Sequence, residues 1–124
     1  MSTILLSIKP EFSEKIFDGT KKYEFRKRIA RKKVEKIVVY ATSPVKKIIG
    51  EVDVEDVLTM KPALLWETTK DDAGIEKQRF IEYFSDNETG YAYKLKNAKI
   101  YNTPETLSKY NIKQAPQSFV YIEK

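Results

Sequence analysis

The stretch DGTKKYEFRKR, residues 18–28, leads from a helix into a strand and places Glu24 among five basic side chains. The segment before it, residues 10–18, begins with proline and carries apolar residues at helical spacing. Gly19 then stands where a glycine in the left-handed region commonly ends a helix. The stretch therefore predicts a short helix that ends at Gly19 and a change of structure directly after it.

Residues 22–28 alternate in character. In an extended chain Tyr23 and Phe25 point to one side, whereas Glu24 and Arg26 point to the other. This period of two predicts a half-buried strand. Because Glu24 and Arg26 are two residues apart on that strand, they can form an ion pair or converge on one ligand.

The rest of the chain predicts a strand-rich α+β domain. Proline, glycine and the change from alternating to helical spacing separate the segments. Expected strands are STILLSIKP (2–10), KVEKIVVYATSP (33–44), VKKIIGEVDVEDVLTM (45–60), GYAYKLKNAKIY (90–101) and PQSFVYIEK (116–124), and expected helices lie in 61–74, 75–87 and 104–112. Strands are not regularly separated by helices, which argues against a doubly wound parallel sheet. We expect a small mixed β-barrel or strongly curved sheet with helices packed at its ends, and a single domain over residues 1–124.

Charge is unevenly distributed along the chain. Residues 21–36 hold nine Lys or Arg and two acids, whereas residues 51–90 hold eleven acids and four bases. A local positive region attracts phosphates, although a basic run can also serve only as a solvated surface. The acidic region is a candidate surface for a protein partner. The oligomeric state stays open.

The sequence contains no cysteine and no histidine. Disulfides, thiol nucleophiles, thiolate zinc sites and imidazole catalysis are therefore excluded, and we expect no metal and no cofactor. The chain has no apolar run long enough for a membrane helix. Residues 1–8 lack the features of a signal peptide, so the expected location is the cytoplasm, without a membrane partner.

A wider pattern surrounds the opening stretch. GTKKYEFR, residues 19–26, reads G-x-K-x-x-E-x-R; LLSIKPEFSEKIFDG precedes it and VVYATSP follows it. Together with KKIIGEV and the closing segments ETGYAYKLKNAKIYNTPETL and APQSFVYI, this combination resembles the activating signal cointegrator homology (ASCH) domain family of the PUA-like superfamily. The resemblance covers most of residues 4–122. It implies a PUA-like β-barrel with a cleft beside the first helix, and binding of RNA or of a modified nucleoside or nucleotide there.

The family's motif residues correspond to Gly19, Lys21, Glu24 and Arg26. One bacterial branch of the family hydrolyses the acyl group of N4-acetylcytidine; there a lysine at the Lys21 position is catalytic and a threonine stands at the Glu24 position. This chain departs from that branch at Glu24. The resemblance thus implies an RNA- or modified-nucleotide-binding domain or, alternatively, a small amidohydrolase for an N-acylated nucleoside or an RNA-cleaving enzyme. In an enzyme, Lys21 and Glu24 would be the catalytic residues.

The side chains of the motif have chemistry that suits a nucleotide. Glu24 can accept hydrogen bonds from an exocyclic amine such as cytosine N4. Arg26 can hold a phosphate through two hydrogen bonds, and Lys21 can stabilise a phosphate or an oxyanion. Such a set favours an unstacked or single-stranded nucleotide over a duplex. The alternative for Glu24 and Arg26 is a structural ion pair within the sheet.

Four further residues are candidates for ligand binding. Lys9 precedes the first helix and can reach the same cleft, and Ser43 carries a hydroxyl at the end of a strand. Tyr40 offers a stacking face, although a tyrosine on a barrel strand can equally belong to the core. Arg28 begins the basic run, which can alternatively be a solvated loop.

Overall fold

The computed structural model describes residues 2–123. Within that range the strands are β1 (Ser2–Ile8), β2 (Tyr23–Arg26), β3 (Val34–Ala41), β4 (Lys47–Met60), β5 (Gly90–Glu105) and β6 (Phe119–Ile122). The α-helices are α1 (Pro10–Asp18), α2 (Pro62–Thr69) and α3 (Lys77–Phe84), and two short 3-10 turns occupy Lys70–Asp72 and Leu107–Tyr110.

Most elements lie where the sequence predicts them. Gly19 ends α1 with φ +89°, and its backbone N–H donates to the carbonyl of Ile16. The helix expected over 104–112 is wrong in extent, because β5 continues to Glu105 and only the 3-10 turn follows. The reason is long-range pairing: Glu105 lies opposite Ile48 of β4 and remains extended.

One mixed sheet of six strands, in the order β2-β5-β4-β3-β1-β6, organises the fold. β1 and β3 are parallel, and the other neighbouring strands are antiparallel. The strand-rich α+β class is therefore confirmed. The sheet is curved but not closed into a barrel, since the edge strands β2 and β6 pair only with β5 and β1 in the described residues.

β4, β5 and α1 approach one another closely at Gly50. The register of β4 shifts against β5 between Ile48 and Gly50, as at a β-bulge. A Cβ at Gly50 would lie 2.5 Å from the carbonyl oxygen of Lys99 and 2.6 Å from Cζ of Phe17. Only glycine allows β5 and α1 to approach β4 this closely.

Three apolar clusters hold the layers together. The first lies between the inner face of the sheet and α1, the second lies under α2 and α3, and the third lies on the opposite face of β1 and β3. Their buried members include Ile4, Leu6, Ile37 and Val39 in the first cluster, Phe25, Leu65, Phe80 and Phe84 in the second, and Leu5, Val38, Tyr40 and Ile48 in the third.

Among the helices of residues 2–123, none combines the length and the apolar character that a membrane span requires. In the same residues, no group of three or more acidic side chains lies close enough together to ligate a metal ion.

Candidate functional site

A cavity of about 520 Å³ lies between the end of β1, the start of α1, β2 and α3. Four of the seven residues that the sequence singles out for ligand binding line it. These are Lys9, Lys21, Glu24 and Arg26. The motif residues on the polar side of β2 and in the preceding turn therefore meet at one concave surface.

Glu24 and Arg26 form the ion pair that the sequence left as an alternative. Nε and Nη2 of Arg26 lie 3.1 Å and 3.0 Å from Oε2 of Glu24. Nη2 also donates to the carbonyl oxygen of Ser7 at 2.7 Å, which connects β2 to the end of β1. Glu24 is only 6% exposed, and its second oxygen, Oε1, accepts no hydrogen bond from any residue in the described range. The pair orients the carboxylate and leaves one acceptor unused.

Lys21 is buried, with 3% of its surface exposed. Its Nζ donates to the carbonyl oxygen of Ala73 at 2.7 Å. The same ammonium lies 5.2 Å from the ring centroid of Phe12 and 4.9 Å from that of Phe25. Two aromatic faces and one carbonyl therefore replace most of the water that would surround the charge.

Burial lowers the pKa of the Lys21 ammonium to about 8. The negative charge of Glu24 raises this pKa, whereas the positive charges of Lys15 and Arg26 lower it. Near neutral pH a measurable fraction of Lys21 is thus an uncharged amine. Such a side chain can both accept and donate a proton.

The position of Lys21 depends on a distant segment. Its backbone N–H donates to the carbonyl of Lys15 at 3.0 Å, and the N–H of Lys22 donates to the carbonyl of Asp72 at 2.9 Å. Gly74, with φ +64°, packs against Cβ and Cγ of Lys21. The segment after α2 therefore covers the turn and directs the lysine side chain inward.

Sequence reasoning missed the wall that α3 contributes. Arg79 and Tyr83 line the cavity and are four residues apart, so they share one helix face. Arg79 is paired with Glu11 through contacts of 2.8 and 3.1 Å and lies over the ring of Phe12. The spacing of the two residues was visible in the sequence. The direction in which that face of α3 points was not.

Three predicted residues do not line the cavity. Tyr40 is buried in the third cluster, on the opposite face of β3. Ser43 is exposed in the turn after β3, and its neighbour Thr42 reaches the cavity instead. Arg28 is exposed in the loop after β2. The structure thus brings together Lys9, Lys21, Glu24 and Arg26, but not these three.

A second cavity, of about 540 Å³, lies on the other side of Lys21. Lys22, Lys94 and Lys96 line it together with the acids Glu55 and Asp72. Lys94 forms an ion pair with Glu55 at 3.0 Å. This second cavity, here named the lysine-rich cavity, therefore combines positive and negative side chains.

Comparisons with known proteins agree on one family. The sequence model of the ASCH domain matches residues 6–110. An ASCH domain-containing ribonuclease of Zymomonas mobilis is 33% identical over 94 residues, which cover 75% of this chain and 64% of that protein. The crystal structure of ASCH from Zymomonas mobilis superposes with a TM-score of 0.90 at 30% identity, covering 99% of this chain and 89% of the other.

A longer relative matches nearly the whole chain. The large ribosomal subunit protein uL22 of Ureaplasma parvum serovar 3 is 32% identical over 122 residues. The match covers 98% of this chain but only 39% of that protein. The ribosomal name therefore describes a protein of which the shared segment is a minor part.

Proposed function

Since this chain belongs to the ASCH domain family, we propose that it binds single-stranded RNA or a modified nucleotide by taking one base into the cavity beside Lys21 and Glu24. One observation carries the proposal. Glu24 is a nearly buried, ion-paired carboxylate that lines the cavity and keeps Oε1 free of described donors. A fixed acceptor of this kind suits the exocyclic amine of a base.

The size and lining of the cavity support a single base as the ligand. A volume of about 520 Å³ is in the range of small-molecule sites. Phe12, Phe25 and Tyr83 contribute aromatic surface to its wall, and aromatic side chains stabilise unstacked bases irrespective of sequence. The cavity therefore combines a directional acceptor with apolar surface.

The cationic residues have separate tasks in this proposal. Arg26 directs its hydrogen bonds to Glu24 and Ser7, so it positions the carboxylate and is not the phosphate ligand. Lys9 lines the cavity and is exposed, which makes it available to a phosphate at the rim. Lys21 places an amino group inside the cavity, and the fraction of this group that is protonated changes near neutral pH.

Fluorescence anisotropy with short single-stranded RNAs over a salt series tests the proposal. We expect Glu24→Gln to weaken binding of cytosine-containing RNA by about 5- to 150-fold, corresponding to ~1–3 kcal/mol for a directional base contact. Glu51→Gln is the matched control, because Glu51 is a partly buried carboxylate that pairs with Lys36 and does not line the cavity. Absence of binding at low salt, or equal affinities for wild type and Glu24→Gln, would contradict the proposal.

RNA cleavage in the same cavity is the second candidate. The likeness to an ASCH ribonuclease and the lowered pKa of Lys21 favour it. In its amine form Lys21 would take the proton of a ribose 2′-hydroxyl as the 2′-oxygen attacks the neighbouring phosphorus. The bond from phosphorus to the 5′-oxygen breaks, water protonates that oxygen, and a 2′,3′-cyclic phosphate remains.

A product assay separates the enzyme from the binding domain. Wild type, Lys21→Met and Lys21→Arg are incubated with single-stranded RNA and, separately, with N4-acetylcytidine, because a lysine beside a carboxylate is also compatible with amide hydrolysis. For a ribonuclease we expect RNA products that both variants fail to form, since arginine keeps the charge but stays protonated. If neither substrate gives product that depends on Lys21, the catalytic candidates are excluded.

A further inference from the structure

The loop between β2 and β3, residues 27–33, concentrates positive charge on the surface. Five of its seven residues are basic, and all five are exposed. They are Lys27, Arg28, Arg31, Lys32 and Lys33. No residue of the described range forms an ion pair with any of them. We name this segment the basic loop.

The basic loop is anchored to the body of the domain. Ile29 packs against the first apolar cluster and Ala30 is buried within it. The backbone N–H of Ala30 donates to the hydroxyl of Tyr93 at 3.3 Å, and that of Lys32 donates to the hydroxyl of Tyr121 at 3.2 Å. The cations therefore project from a backbone that is held at its centre. Ordering such a loop on binding costs less entropy than ordering a free one.

The basic loop starts at the rim of the cavity. Arg26, which lines the cavity, is the residue directly before it. Nζ of Lys27 lies 4.8 Å from the ring centroid of Tyr83, and Tyr83 also lines the cavity. A chain that leaves the cavity past Tyr83 therefore meets the basic loop next.

We propose that the basic loop binds the sugar–phosphate backbone of a single-stranded RNA of which one base occupies the cavity. The inference rests on the proposed function and specifies its substrate class: an oligonucleotide and not a free nucleoside. A cluster of unpaired cations repels itself, and a flexible chain of phosphates relieves that repulsion along its whole length. A positively charged track beside aromatic surface is the common arrangement for single strands.

The lysine-rich cavity is the alternative surface along which an RNA strand could continue from the bound base. Lys22 and Lys96 form no ion pair within the described part of the chain. Lys94, however, is neutralised by Glu55, and a second acid, Asp72, also lines this cavity. Carboxylates in that wall repel phosphates. Residues 27–33 contain no acid, which favours the basic loop.

Two double variants of equal charge distinguish the two surfaces. Arg28→Gln/Arg31→Gln removes two exposed loop cations that form no ion pair with the described residues, and Lys22→Gln/Lys96→Gln removes two from the lysine-rich cavity. Anisotropy with a labelled RNA of about 10 nucleotides, within the usual site size, gives the affinity over a salt series. Thermal unfolding checks that both variants fold.

We expect the loop variant to weaken RNA binding by about 25-fold at 0.1 M salt and to reduce the salt slope by ~1.4, since each phosphate contact on a single strand contributes about 0.7 to that slope. A mononucleotide should lose less affinity than the oligonucleotide. The variant of the lysine-rich cavity should bind as wild type does.

Other outcomes overturn the inference in recognisable ways. A loss confined to Lys22→Gln/Lys96→Gln assigns the strand to the lysine-rich cavity. If the loop variant binds RNA normally but no longer binds vesicles of phosphatidylserine and phosphatidylcholine, the loop is a membrane surface. If Glu24→Gln weakens binding and the loop variant does not, the proposed function stands and this inference falls. If neither Glu24→Gln nor the loop variant weakens RNA binding, both the proposed function and this inference are wrong.

Discussion

Arg26 donates to the main-chain carbonyl of Ser7 at 2.7 Å, although three strands separate β2 from β1 in the sheet. The curvature of the sheet brings its β2 edge close to the end of β1 without a ladder of hydrogen bonds between them. A guanidinium thus bridges the gap that strand pairing would close in a barrel. The same guanidinium pairs with Glu24, so the contact that joins β2 to β1 and the candidate site share one residue.

Replacement of Arg26 by lysine should therefore weaken the fold even though the charge is kept. A single ammonium cannot reproduce the forked contacts to Glu24 and Ser7. We expect Arg26→Lys to lower the free energy of unfolding by about 1–3 kcal/mol in urea denaturation. Arg79→Lys, which alters an exposed pair with Glu11, should cost less, at most about 1 kcal/mol. Equal changes in the free energy of unfolding for the two substitutions would show that the contact of Arg26 with Glu24 and Ser7 is unimportant for stability.

Gly74 is the second residue on which the site depends. A Cβ at this position would lie 2.4 Å from Cβ and 2.6 Å from Cγ of Lys21, and φ is +64°. Gly19 has φ +89° but open space around the same position, so Gly19→Ala is a control for backbone strain alone. We expect Gly19→Ala to cost about 1–2 kcal/mol and Gly74→Ala a further ~1–3 kcal/mol from overpacking against Lys21.

Thermal and urea unfolding measure both glycine variants, and RNA anisotropy reports the effect on the site. Displacement of Lys21 should reduce affinity in Gly74→Ala but not in Gly19→Ala. Similar free energies of unfolding for the two variants would mean that the Lys21 side chain moves away from the added Cβ without loss of stability.

The lowered pKa of Lys21 predicts a pH dependence of stability. Its pKa is about 8 in the folded protein and 10.5 in the unfolded chain. Between these values the unfolded state binds more protons, so stability rises with pH in that window. Below pH 8 the cost of burying the ammonium is fully present. Relative to Lys21→Met, wild type should gain on the order of 3 kcal/mol from pH 8 to 10.5.

Urea denaturation of both proteins across that window checks this prediction. Other groups that titrate at high pH, including Tyr101, are common to the two proteins and cancel in the difference. A difference between wild type and variant that stays constant, or falls, as the pH rises would be incompatible with a buried, charged Lys21.

Glu24 and Arg26 should shift the pKa of Lys21 in opposite directions. The carboxylate raises this pKa and the guanidinium lowers it, so Glu24→Gln should lower it further and Arg26→Gln should raise it. NMR titration of the Lys21 side-chain resonances measures both changes. Glu51→Gln, outside the cavity, should leave the titration unchanged. Shifts of the same sign in the first two variants would show that the three side chains do not interact as the structure indicates.

Local pattern was sufficient for much of the fold. Pro10 and Gly19 mark the start and the end of α1, and the alternation over residues 22–28 identifies β2. Both signals are local, because helix capping and strand period are set by a few neighbouring residues. Tyr40 shows where this reasoning stops. Residues 37–41 of β3 are all buried, so alternation there gives no sign of which face meets the cavity.

The sequence by itself determined the family, the strand-rich class and the motif residues that share one strand face. Only the tertiary structure decided that Lys21 is buried, that α3 supplies a wall of the cavity and that the sheet stays open at β2. A basic residue in a turn would ordinarily be solvated, and its burial depends on a carbonyl and a glycine more than fifty positions away at 73–74. Such contacts arise from packing between distant segments, which no local periodicity encodes.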